Sequence, residues 1–236
     1  MKKTVIISVC IVYCSCLLNA QLPQLSDKER KQGWILLFDG VTSNGWKKAN
    51  GQPFPERGWK IENGVMSVDP ANKGRDGGGD VVTEMEFSNF ELSLEFKITK
   101  GANSGIKYFI LPRSSLGCEF QILDDANHPD AKEGKNGNRL QGSLYDLIPP
   151  SPKKKDKPVG EWNHARIISK GQNVEHWLNG KKIVSYKRGS DAFNALVAVS
   201  KYRTEKNFAT PARASILLQD HGDVVSFRNI KIKVLK

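Results

Sequence analysis

Phe90-Glu91-Leu92-Ser93-Leu94-Glu95-Phe96-Lys97-Ile98 is the stretch that decides the fold class. Leu92, Leu94, Phe96 and Ile98 fall on one side of it, and Glu91, Ser93, Glu95 and Lys97 on the other. A period of two marks a strand with one face buried and one face wet. Alternation returns near the C-terminus, in Phe227-Arg228-Asn229-Ile230-Lys231-Ile232-Lys233-Val234. Trp59-Lys60-Ile61-Glu62, then Asn63-Gly64, then Val65-Met66-Ser67-Val68 spell a hairpin, because Asn-Gly supplies the two positive-φ residues of a tight turn. Asn173 to Leu178 and Lys181 to Tyr186 repeat the arrangement about Asn179-Gly180. Further strands are expected over Val81 to Phe87, Gly105 to Leu111, Cys118 to Leu123, Gly142 to Ile148, Trp162 to Ser169, Ala195 to Ser200 and Ala214 to Gln219. Parallel sheets need crossover helices, and no long helical pattern is present. The expectation is an all-β chain, an antiparallel two-sheet sandwich.

Outward from this core, the ends and the composition narrow the class. Met1-Lys2-Lys3 is a short basic start, Val5 to Leu18 is almost wholly apolar, and Leu18-Asn19-Ala20 ends in a small residue. This reads as a secretory signal peptide cleaved after Ala20, so the protein is expected to be exported, either periplasmic or secreted. Residues 21–32 form a polar lead-in, and residues 33–236 a single domain. No other apolar run is long enough to span a bilayer. Three of the four cysteines leave with the leader, so Cys118 has no internal partner and reads as a small packing residue. The formal charge of +11 falls to +9 when Lys2 and Lys3 are removed, with 34 basic residues against 25 acidic. That charge is spread along the chain, and nucleic acid is not an expected partner.

Strand parity also selects candidate functional groups. In Glu119-Phe120-Gln121-Ile122-Leu123, Phe120 and Ile122 point to the core, which leaves Glu119 and Gln121 together on the other face, running into Asp124-Asp125. In Leu218-Gln219-Asp220-His221-Gly222, Gln219 and His221 share a face opposite Leu218. A histidine near a carboxylate can move a proton at neutral pH, so His221 with Glu119 is a candidate acid–base pair. His128 lies in a loop with Asp124 and Asp125, a donor mix that suits a divalent metal ion. Trp46, Trp162 and Trp177 are candidates for stacking on a sugar ring. His176 shares a face with Val174 and Leu178 and is expected to be a hydrogen-bonded core residue. No Gly-x-Ser-x-Gly elbow, phosphate loop or dinucleotide fingerprint occurs.

These residues also carry a resemblance. Gly33-Trp34-Ile35-Leu36-Leu37-Phe38-Asp39-Gly40 with Gly45-Trp46 resembles the opening of the 3-keto-glucoside 1,2-lyase/3-keto-2-hydroxyglucal hydratase family, also called 3-keto-disaccharide hydrolases. The likeness continues through Asn103-Ser104-Gly105-Ile106, the Glu119–Asp124 segment, Gly142-Ser143-Leu144-Tyr145, Gly160-Glu161-Trp162-Asn163, Trp177-Leu178-Asn179-Gly180, Leu218–Gly222 and Phe227–Ile230. It implies a concanavalin A-like jelly roll and a small-molecule sugar substrate. It also implies proton abstraction at C2 of a 3-keto glycoside and loss of the group at C1. For that chemistry the expectation, by hypothesis, is His221 as the base or acid and Glu119 as its partner. Gln121, Tyr145 and Gln219 position the sugar, Trp177 and Arg228 give further contacts, and a metal near Asp124 or His128 polarises the ketone. Two alternatives stay open. A jelly-roll glucanase would need a second carboxylate where Gln121 stands. A carbohydrate-binding module would need no acid–base pair.

Overall fold

The computed structural model describes residues 22–72, 74 and 78–236. The proposed leader of residues 1–20 lies outside the described residues. The larger sheet runs in the order β11 (Lys181–Lys187), β10 (Asn173–Leu178), β9 (Asn163–Lys170), β6 (Phe90–Ile98), β13 (Val225–Val234), β4 (Val65–Val68) and β3 (Trp59–Glu62). β1 (Trp34–Leu36) pairs with the second half of β13. The smaller sheet runs β2 (Trp46–Lys48), β5 (Val81–Phe87), β12 (Ala214–Leu218), β7 (Asn103–Tyr108) and β8 (Cys118–Leu123). Every pairing in these sheets is antiparallel.

The chain stacks the sheets by burying the alternating apolar sets. Leu92, Leu94, Phe96, Ile167 and Phe227 from the larger sheet meet Ile106, Tyr108, Phe120, Ile122 and Leu218 from the smaller one in one core. Each such side chain contributes roughly 1.5–3 kcal/mol by leaving water. Phe96 and Phe120 join the sheets edge to face, with ring centroids 6.4 Å apart. His176 is fully buried, its Nε2 2.6 Å from the Tyr108 hydroxyl and its Nδ1 3.1 Å from the Gly142 carbonyl. Burial lowers its imidazole to about 4. Cys118 is buried as well, and burial pushes its thiol up to about 12.

Several expectations need correction. The register of β13 against β6 shifts between Arg228 and Lys231, with Asn229 at φ 52°, so a bulge changes which parity faces the core. The stretch 142–148 is a series of turns, not a strand; only Leu144 forms isolated bridges, to Phe120 and Ile148. The run expected as a strand at Ala195–Ser200 lies mostly in helix α2 (Asp191–Ala198). Ser190 caps that helix by accepting from Phe193 N at 3.2 Å. Phe193, Leu196 and Val197 then fall on one helical face, and Phe193 stacks on Tyr186 at 5.6 Å. Strand β2 was not expected; its Trp46 is buried and donates from Nε1 to Leu37 O at 2.6 Å, so it packs rather than stacks on a ligand. In the lead-in, α1 (Asp27–Lys31) forms behind a capping box of Ser26 and Glu29, and Glu29 pairs with Lys231 on β13.

Candidate active site

The face of the smaller sheet that points away from the core carries two rows of functional groups. Register places Leu217, Lys107 and Glu119 side by side across β12, β7 and β8. In the next row Gly105 pairs with Gln121, and Gln219 N donates to Gly105 O at 3.0 Å. Parity explains the set: Ile106, Tyr108, Phe120 and Ile122 turn inward, so their neighbours turn out.

Glu119 is the centre of this face. Its side chain is 5% exposed, and Lys107 Nζ stands 3.5 Å from its Oε2. Gln121 takes the orientation in which its amide nitrogen donates to Ser104 O at 3.1 Å and to Glu119 Oε1 at 3.2 Å. Both carboxylate oxygens are therefore held. Gly105 makes room for them: a Cβ there would lie 2.2 Å from Glu119 Oε1. Burial raises the Glu119 pKa and Asp80 adds to the rise; Lys107 and Lys201 oppose it without cancelling it. The result is a carboxyl that holds its proton to higher pH than an ordinary glutamate.

A second group comes from the turns beside β8. Tyr145 N donates to Glu119 O at 3.1 Å, which fixes the phenol next to the carboxyl's strand. Lys201 Nζ lies 4.2 Å from the Tyr145 ring centroid. Arg139 donates to Asp146 Oδ1 at 2.6 Å and to Asp130 Oδ1 at 2.8 Å. Burial and then the Asp130 carboxylate push the Tyr145 phenol up. Burial of the Lys201 ammonium pushes it down, with Glu119 pulling the other way.

A third group lies past the ends of β12 and β8. The His128 and His221 rings meet edge to face at 6.3 Å. His128 Nδ1 accepts from Asp130 N at 3.1 Å, which assigns the proton of the neutral ring to Nε2. His221 is exposed. Asp223 Oδ2 accepts from Asn103 N at 3.0 Å and ties the His221 turn to the start of β7. Gln219 Oε1 is buried without a hydrogen-bond partner, an acceptor on the same face.

The structure thus brings Glu119, Gln121 and Gln219 onto one face, with Tyr145 beside them and His221 in the turn that follows β12. Trp177 and Arg228 do not join them and are corrected. Both point outward from the larger sheet, on the opposite side of the sandwich. Trp177 donates to Glu175 Oε2 at 2.8 Å, and Arg228 donates to Glu95 Oε2 at 2.7 Å with its guanidinium 4.1 Å from the Trp162 ring centroid. The metal expectation also fails the donor test. Asp124 accepts from Gly101 N at 2.7 Å, Asn127 Nδ2 at 2.7 Å and Ala126 N at 3.2 Å, so its oxygens close a turn. Burial would raise that carboxyl, but these bonds together hold it below the usual range. Among the described residues no three His, Cys, Asp or Glu side chains are placed to hold a metal ion.

Lys107, Gly105, Arg139 and Lys201 are site residues that sequence reasoning missed. Lys107 alternates with Ile106 and Tyr108 and was within reach of the parity argument. Arg139 and Lys201 stand in loops with no local signal.

The comparisons with known proteins agree with this architecture. A crystal structure from Parabacteroides distasonis ATCC 8503, provisionally called a glycosyl hydrolase, superimposes with a TM-score of 0.80 at 32% identity, covering 92% of this chain and 100% of that one. A second such structure from the same organism gives a TM-score of 0.62 at 28% identity, covering 86% and 99%. Fold and site therefore define the class as jelly-roll proteins built like glycosyl hydrolases. The profile of the 3-keto-alpha-glucoside-1,2-lyase-like domain matches residues 33–233, and the chain belongs to that family. A 3-keto-disaccharide hydrolase of Bacteroides thetaiotaomicron is 36% identical, covering 96% of this chain and 87% of that protein.

Proposed function

We propose that the protein, exported behind its leader, cleaves 3-keto glycosides on the Glu119 face by elimination. Membership of the 3-keto-disaccharide hydrolase family makes it a carbohydrate-active enzyme acting on glycosidic bonds. The finer chemistry follows from the residues. A ketone at C3 makes the C2 proton acidic. A base removes that proton, and its electron pair moves to the C3 oxygen as an enolate. The enolate collapses, the C3 carbonyl re-forms, a C1–C2 double bond appears, and the C1–O bond breaks. The departing oxygen takes a proton. Water then adds, hydroxyl to C1 and proton to C2, to give the free 3-keto sugar.

In this reading His221, backed by His128, takes the C2 proton. Burial raises the Glu119 carboxyl above the ordinary glutamate range, and in this reading it passes a proton to the leaving oxygen. The ammonium groups of Lys107 and Lys201 offset the enolate charge. A substrate hydroxyl satisfies Gln219 Oε1. The observation that carries the reading is Glu119 itself: a buried carboxyl clamped by Gln121 and Lys107 on the outward side of the smaller sheet.

The test offers wild type, Glu119→Gln and His221→Ala the same disaccharide in its 3-keto and unoxidised forms. Turnover of the keto form alone, with kcat about 10²–10⁴-fold lower in each variant, is expected. Equal turnover of the unoxidised sugar would favour a glucanase mechanism, and unchanged kcat in both variants would remove these residues from the chemistry.

A further inference from the structure

A groove of about 470 Å³ opens next to the site, within the range of ~300–1,000 Å³ usual for small-molecule sites. It shares Arg139 and Lys201 with the surroundings of Tyr145 and extends to Lys135 and Arg203. Asp146 is the one carboxylate among its lining residues. Both of its oxygens are already engaged, Oδ1 by Arg139 Nε at 2.6 Å and Oδ2 by Lys201 N at 2.7 Å. Lys135 and Arg203 have no carboxylate partner among the described residues: Lys135 is anchored through its backbone N to Asn138 Oδ1, and Arg203 reaches only Ser200 O at 3.5 Å. The groove therefore holds uncompensated positive charge. One wall is apolar, formed by Leu147, Leu196 and Val199, the last 63% exposed. A ring with an anionic edge fits that mixture of surfaces.

Position assigns the groove its half of the substrate. In the reaction proposed above Glu119 passes a proton to the leaving oxygen; Tyr145 N donates to Glu119 O at 3.1 Å, Lys201 Nζ stands 4.2 Å from the Tyr145 ring centroid, and Lys201 also lines the groove. A leaving group attached to that oxygen passes Tyr145 and Lys201 into the groove. We infer that this groove is the leaving-group subsite and that it selects 3-keto glycosides whose leaving group carries a negative charge, such as a carboxylate-bearing ring. The inference rests on the reaction proposed above and adds its specificity.

The test compares 4-carboxyphenyl and 4-(hydroxymethyl)phenyl 3-keto-glucosides of one anomer, whose leaving oxygens are similar and whose charges differ. Wild type is expected to prefer the carboxylate by roughly tenfold in kcat/KM at low ionic strength, the scale of a few exposed charge contacts, and to lose most of that preference in 0.5 M salt. The double variant Lys135→Gln/Arg203→Gln should bring the ratio to about one by lowering kcat/KM for the carboxylate substrate far more than for the neutral one. Both side chains are exposed. Lys135→Gln alone, expected to remove about half of the preference on a logarithmic scale, serves if the double variant folds poorly. A wild-type ratio near one, or a ratio that the substitutions leave intact, overturns the inference and leaves the reaction standing. Failure of wild type on both glucosides overturns the reaction and the inference with it.

Discussion

Replacing Gly105 with alanine tests whether the position of Glu119 matters more to activity than to stability. The new methyl carbon would lie 2.2 Å from Glu119 Oε1, 2.8 Å from its Cδ and 3.0 Å from its Cγ. Ordinary contact is about 3.5 Å, so the carboxyl must move by about 1 Å. Gly105 is not at positive φ, so alanine adopts its backbone without strain, and the whole effect falls on Glu119. Moving that carboxyl breaks its contact with Lys107 at 3.5 Å and its bond from Gln121 at 3.2 Å. Overpacking costs about 1–3 kcal/mol, and the stiffer unfolded chain returns about 0.4–1 kcal/mol. The net loss is then about 1–2 kcal/mol, or a Tm lower by roughly 2–8 °C. Activity should fall further, by about a hundredfold in kcat, because a misplacement of about 1 Å at a reacting group costs that much. Initial rates on a 3-keto disaccharide, read beside urea unfolding at the same temperature, separate the two effects. A Gly105→Ala protein that stays folded and keeps its rate within about threefold would refute the reasoning.

Three further outcomes follow from the same structure and a fourth from the sequence. Because burial raises the Glu119 carboxyl, its ionised form is disfavoured in the fold, so the stability of wild type relative to Glu119→Gln should decline as pH rises from about 4.5 through the folded pKa; urea melts between pH 4.5 and 8 that show the opposite slope would contradict this. His176 behaves in the reverse sense: its imidazole falls from 6.5 to about 4, so stability is present above pH 6.5 and up to roughly 3 kcal/mol is lost as pH drops to about 4, a slope that His176→Gln should flatten. Cys118, with its thiol pushed up to about 12, should resist a thiol reagent until denaturant is added, and rapid labelling of the native protein would show that the site opens. If residues 1–20 are a cleaved leader, mass spectrometry of the protein isolated from its host should find Gln21 at the N-terminus, whereas a mass that retains residues 1–20 would refute the leader reading.

How much of this was legible before the structure depends on whether the signal was local. The hairpin about Asn63-Gly64 and the alternation of β6 are written in adjacent residues, and both appear where expected, with Asn63 at φ 51° and Gly64 at φ 77°. Parity likewise separated Glu119 and Gln121 from Phe120 and Ile122. Parity says only that a side chain points away from the core, not which sheet it leaves. A sandwich has two outer faces, one on each sheet. Trp177 and Arg228 point outward from the larger sheet and so fall on the wrong face for this site. The apolar run Ala195-Leu196-Val197-Ala198 reads as either a strand or a helix, and the deciding group was the Ser190 cap upstream. Tyr145, Arg139 and Lys201 meet only through tertiary packing, so no spacing in the chain could have joined them.

The central claim is that the C2 proton is removed in this hollow before the glycosidic bond breaks. Running the reaction in D2O and reading the 3-keto sugar product by NMR tests it directly, with a no-enzyme control for slow exchange. Elimination followed by hydration predicts one deuterium at C2 per turnover, lost together with activity in His221→Ala. Product formed at full rate with the original hydrogen still at C2 would contradict the account.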